Sequence, residues 1–80
     1  MQEAERVQAE IQKVIVEDPT IADANRITVS VERKSFWQGG KEQVILKGKV
    51  RSDLDRAKIE KIATLHAAGR EIVDQITVIH

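Results

Sequence analysis

Val44-Ile-Leu-Lys-Gly-Lys-Val50 is the stretch from which the rest of the chain can be placed. Val44, Leu46, Gly48 and Val50 fall on one side of an extended segment, and Ile45, Lys47 and Lys49 on the other. A strand of this kind has a covered inner face. Gly48 sits on that face, where the lack of a side chain usually marks the close approach of another backbone. The neighbour expected there is a helix lying across the sheet.

Upstream, Ile27-Thr-Val-Ser-Val31 alternates in the same way, with Ile27, Val29 and Val31 inward. Between the two strands, Lys34 to Glu42 breaks the alternation. Its Gly39-Gly40 pair marks a turn, so the segment reads as a long hairpin tip. Further upstream, Val7, Ile11, Val14 and Ile15 form one helical stripe. The acids that precede them suit the positive end of a helix dipole. Asp18-Pro19-Thr20 stops that helix, because proline pushes the residue before it out of the helical region.

Downstream, Ser52-Asp-Leu-Asp55 resembles a capping box, with aspartate where glutamate is preferred. Ile59, Ile62, Ala63 and His66 follow as the apolar stripe of a second helix, and Gly69 is its natural C-cap. A last strand runs from about Ile72 to Ile79. The order is α-β-β-α-β, an α+β domain with two helices packed on one face of a three-stranded mixed sheet. The opposite sheet face, with Thr28, Ser30, Lys47, Lys49 and Thr77, is expected to be open to water. The sequence leaves open whether the last strand pairs with the first or the second. Residues 1–80 read as one domain.

Composition limits the function. Apolar residues make up 41 % and charged residues 32 %, which is globular rather than disordered. The 13 bases balance the 13 acids, which argues against a general nucleic-acid binder. Acids outnumber bases at the start of the chain and bases outnumber acids in its middle, so the middle is the side expected to suit an anionic partner better, against the plain reading of a mixed, solvated surface. There is no cysteine, and only His66 and His80 could offer nitrogen to zinc, so neither a disulfide nor a metal site is expected. No phosphate-binding glycine loop, nucleophile elbow or metalloprotease motif occurs. No stretch approaches the roughly 20 apolar residues of a spanning helix. The opening Met-Gln-Glu-Ala-Glu-Arg has no signal-peptide pattern. The expected compartment is the periplasm or cell envelope if a targeting segment was removed, and otherwise the cytoplasm.

These pieces together resemble a BON domain. The resemblance rests on Asp18-Pro19, Ile27-Thr-Val-Ser-Val31 and Val44-Ile-Leu-Lys-Gly-Lys-Val50. It continues through Ser52, Ile62-Ala63, Gly69, Val73 and Ile76-Thr-Val78, and so covers nearly the whole chain. The chain departs from the family pattern in three places. Its hairpin is longer, Arg70 follows Gly69 where an apolar residue is usual, and the last strand starts closer to that glycine. The resemblance implies a non-catalytic module without a cofactor, of a kind found in envelope proteins and associated with phospholipid surfaces. In some relatives it is associated with potassium.

The candidate contact is the hairpin tip. Phe36 and Trp37 are the only aromatic residues, and Arg33, Lys34 and Lys41 stand beside them. Rings with flanking bases suit the boundary of an anionic bilayer. They equally suit a partner protein, where tryptophan and arginine concentrate binding energy. The plain alternative is a ring folded back over a thin core. Lys47 and Lys49 form a weaker anion patch. The neighbouring Arg51, Arg56, Lys58 and Lys61 are not expected to share one surface with them. The expected partners are therefore an anionic phospholipid surface or an envelope protein, with potassium binding and weak self-association as rival readings.

Overall fold

Helix α1 spans Glu3–Glu17 in the computed structural model, which describes residues 3–33, 37 and 39–79. Its stripe is used as its spacing predicts. Val7, Ile11 and Ile15 are buried, and Val14 is half-buried on the flank. The helix stops before Pro19 in a turn that Asp18 closes with its side chain. Asp18 Oδ1 accepts from the Thr20 N–H at 2.8 Å and from the Thr20 hydroxyl at 2.6 Å. Those two bonds favour the ionised carboxyl and hold Asp18 below its ordinary value. A single 3-10 turn, Ala24–Arg26, then leads into strand β1, Thr28–Arg33. The sequence pattern did not include that turn.

Strand β2, Glu42–Val50, is the centre of the sheet. It runs antiparallel to β1, with Val29 opposite Leu46 and Val31 opposite Val44. It runs parallel to β3, Glu71–Val78, with Gly48 opposite Ile76 and Val50 opposite Val78. The last strand therefore pairs with the second strand and not with the first. Between β2 and β3 lies helix α2, Asp53–His66. Ser52 caps it in an extended conformation, with its Oγ accepting from the Asp55 N–H at 3.2 Å. Ile59 and Ala63 of α2 are fully buried and Ile62 packs at the margin.

Both helices contribute to one apolar cluster over one sheet face. Ile11, Ile15, Ile27, Leu46 and Ile59 are its largest fully buried side chains. This is the α+β arrangement that the alternation and the two helical stripes predict.

Three details differ from expectation. The backbone that crowds Gly48 is not that of either α-helix. A Cβ there would stand 2.7 Å from Arg26 O and 3.1 Å from Ile27 Cα, the link between the 3-10 turn and β1. The second helix ends at His66, and Ala67 rather than Gly69 caps it. The left-handed reversal starts at Ala68, with φ +55°, and continues through Gly69 at +84°. Ile45 lies on the face away from the helices and yet is only 5 % exposed. It occupies the middle strand, flanked by Ser30 and Val73 on its two sides. Elsewhere on that face Thr28, Lys47, Lys49 and Thr77 are exposed, whereas Ser30, expected to be open, is half-buried beside Ile45.

Candidate functional site

The register of the antiparallel pair fixes where the hairpin tip begins. Arg33 opposite Glu42 is its last rung, so residues 34–41 form the connection. Gly39 and Gly40 take φ of +99° and +64°, left-handed values that suit glycine and let the chain reverse. Arg33 and Lys41 are exposed at the two feet of this connection. Trp37 stands between them and is 90 % exposed, the most exposed large apolar side chain among the described residues. It does not fold back over the core. Lys34 and Phe36, the other two residues of the expected contact, lie outside the described residues.

Beneath the tip is an open groove of about 780 Å³, lined by Glu3, Lys41, Glu42, Arg70 and Glu71. Arg70 organises its floor. Its Nη2 and Nε reach Glu42 Oε1 at 2.9 and 3.1 Å, and its Nη1 donates to Ala67 O at 3.1 Å. The Arg70 backbone N–H donates to the same carbonyl at 3.2 Å. The Arg70 side chain is only 10 % exposed. It thus ties the end of α2 to the first residue of β2 and fixes the foot of the hairpin against the helix layer. The sequence signal was present, since Arg70 was the residue out of place in the apolar pattern. Its partner Glu42 could not be named without the sheet register.

A second depression, of about 630 Å³, lies next to the first and is lined by Glu3, Arg6, Glu10 and His66. His66 is half-buried at the edge of the core, and its Nδ1 lies 3.2 Å from Glu10 Oε1 across the two helices. Among the described residues, no group of three or more His, Cys, Asp or Glu side chains could hold a metal ion. Among them too, no helix is long and apolar enough to cross a membrane.

The basic residues after the tip lie on different elements and have different neighbours. Lys47 and Lys49 are exposed on the open sheet face, opposite Thr28, Gln75 and Thr77. Arg51 pairs with Asp23 at 3.2 Å. Arg56 bonds Asp74 at 2.9 Å and lies 3.7 Å from Glu60; the bond to Asp74 raises the guanidinium above its ordinary value. The tip thus carries an exposed ring between two exposed described bases, and the sheet face carries a separate pair of exposed lysines.

A family model described as the BON domain matches residues 37–80, more than half of the chain. No curated protein and no solved structure matches it.

Proposed function

The chain belongs to the BON domain family, and we propose that it is a non-catalytic module that attaches to an anionic phospholipid surface of the cell envelope through its hairpin tip. The observation that carries this reading is the exposure of Trp37, 90 %, between the exposed bases Arg33 and Lys41. An indole favours the headgroup region, where its apolar ring and its N–H are both accommodated. Each base near an anionic surface adds about 1 kcal/mol. The whole chain has a net charge of zero, so the attraction is local to the tip. A contact of this size is reversible and weakens as salt screens it.

Trp37 is the only tryptophan, so its emission reports the tip alone. The expected emission in buffer is red, that of an exposed ring. With anionic vesicles at low salt it shifts blue, with neutral vesicles it stays, and added salt reverses the shift. Emission that ignores anionic vesicles at low salt would sink the lipid reading and leave the tip as a contact for a protein.

A further inference from the structure

The outer edge of β1 carries bonds that belong to a strand but are made by a helix. Val29 and Val31 turn their N–H groups away from β2. Gln12 Oε1 accepts from the Val29 N–H at 3.0 Å and Gln8 Oε1 from the Val31 N–H at 3.2 Å. Gln12 Nε2 donates to Ile27 O at 2.7 Å. Gln8 and Gln12 are one helical turn apart on α1, and their side-chain amides stand where the peptide groups of a fourth strand would stand. The other edge of the sheet is closed differently. On β3 the Ile76 N–H is taken by Asp74 Oδ1 at 2.8 Å, and that carboxylate also holds Arg56. A charge at an edge is a common guard against pairing. The edge of β1 has no such charge between Thr28 and Val31.

We propose that the β1 edge is a guarded self-association surface, that its partner is the same edge of a second copy, and that Gln8 and Gln12 keep it closed in the monomer. The sequence of β1 fits itself. In an antiparallel pair centred on Ser30, Val29 and Val31 of one copy, whose peptide N–H groups face the edge, exchange backbone bonds with Val31 and Val29 of the other. Ser30 meets Ser30, Thr28 meets Glu32, and no like charges are opposed. The contact is isologous and closed, and it makes a six-stranded sheet. A second observation points to the same side. Val16 continues the Gln8–Gln12 row by one more helical turn and is 49 % exposed. In the paired sheet the two α1 helices become neighbours along this row, and Val16 gains cover. The inference does not depend on the lipid reading, because the edge and the tip are different surfaces.

The test compares the wild-type chain with the double variant Gln8→Ala, Gln12→Ala. Sedimentation gives the dimer constant, and hydrogen exchange reads the Val29 and Val31 amides over a range of protein concentration. Removing the competing amides should tighten the dimer about tenfold or more, since one net hydrogen bond is worth roughly 1 kcal/mol and 1.4 kcal/mol is tenfold. The two amides should become protected as concentration rises. Ser30→Asp added to the double variant sets like charges face to face and should return the monomer. A double variant that stays monomeric with fast-exchanging amides overturns the proposal. So does one that associates while those amides still exchange fast, or one indifferent to Ser30→Asp. If the double variant does not fold, Gln8→Ala alone leaves both Gln12 bonds in place and is read by the same criteria.

Discussion

At Gly48 an added methyl group would stand 2.7 Å from Arg26 O and 2.9 Å from Ile27 Cδ1; at Gly39 and Gly40 it would meet nothing within 4 Å. All three glycines have positive φ. The first lies at the waist of the sheet, where the link into β1 presses close against β2, and the other two at the hairpin tip. At the waist, glycine is required twice over, by space and by backbone conformation. At the tip it is required by conformation alone, and the room around it is left for something else. The comparison separates residues that hold the fold from residues available to a partner. Arg70 sits on the border, since it fixes the foot of the tip to the helix layer without entering the tip itself.

The strongest way to break the contrast is to fill the waist. Gly48→Ala combines an overpacked contact with a strained conformation, each costing roughly 1–3 kcal/mol. A loss of about 3 kcal/mol, read as a lower urea midpoint, is expected; a loss below about 1 kcal/mol would mean that the Arg26–Ile27 link moves aside easily. Next comes the border. Arg70→Met keeps the stem and removes the charge, leaving Glu42 without its donor and the Ala67 carbonyl with only the backbone N–H of residue 70. The expected loss is about 1–2 kcal/mol, and equal stability in denaturant would show the clasp to be ornamental.

A smaller effect has the opposite sign. Ala68 holds φ +55° without being glycine. Ala68→Gly relieves that strain at some entropic cost in the unfolded chain, for a net gain of about 0.5 kcal/mol in thermal or urea unfolding. At the tip, Trp37→Ala should change stability by less than about 0.5 kcal/mol, the usual range for a surface site, while abolishing the response to anionic vesicles. A marked loss of stability would move Trp37 from the tip's class to the waist's. The smallest effect is electrostatic. The folded pKa of Asp18 is depressed by its bonds to Thr20. Its contribution is therefore present above the unfolded pKa of about 3.9 and is lost as pH falls through the lower folded value. Thr20→Val should bring the Asp18 titration, followed by NMR, back toward the ordinary value. An unchanged titration would show that Thr20 is not the cause.

Much of the fold was legible because it rests on periodicity. The alternation of Val44, Leu46 and Val50, and the stripes Val7–Ile11–Ile15 and Ile59–Ala63, appear in the structure as the buried faces they predict. What could not be read is set by contacts distant in sequence. Gly48 announced a close approach but not by what, because the crossing chain, Arg26–Ile27, has no signal of its own. The 3-10 turn Ala24–Arg26 is too short to show a period. Ile45 read as an outward residue from alternation, yet it is sheltered in the central strand. Gly69 is the conventional stop signal, yet the reversal begins one residue earlier because Ala68 accepts the strain. Of the candidate contact, Trp37 lies in the connection and Arg33 and Lys41 at its two feet, while Lys34 and Phe36 fall outside the described residues. The clasp of Arg70 and the edge bonds of Gln8 and Gln12 depend on polar side chains reaching over long sequence separations, which no local pattern encodes.

The central position of β2 also bears on the order in which the chain assembles. Its antiparallel ladder closes over eight residues, 34–41, whereas its parallel ladder closes over the twenty residues, 51–70, that include α2. For flexible loops that difference in length amounts to only roughly 0.8 kcal/mol of closure entropy. The larger asymmetry is that the parallel rungs need α2 to be formed and turned back before any of them can be made, while the hairpin needs only its own turn. The hairpin is thus the natural nucleus and β3 the late arrival. Truncating Val29 should slow refolding, whereas truncating Ile76 should chiefly hasten unfolding, and the reverse pattern in stopped-flow kinetics would place the crossover first.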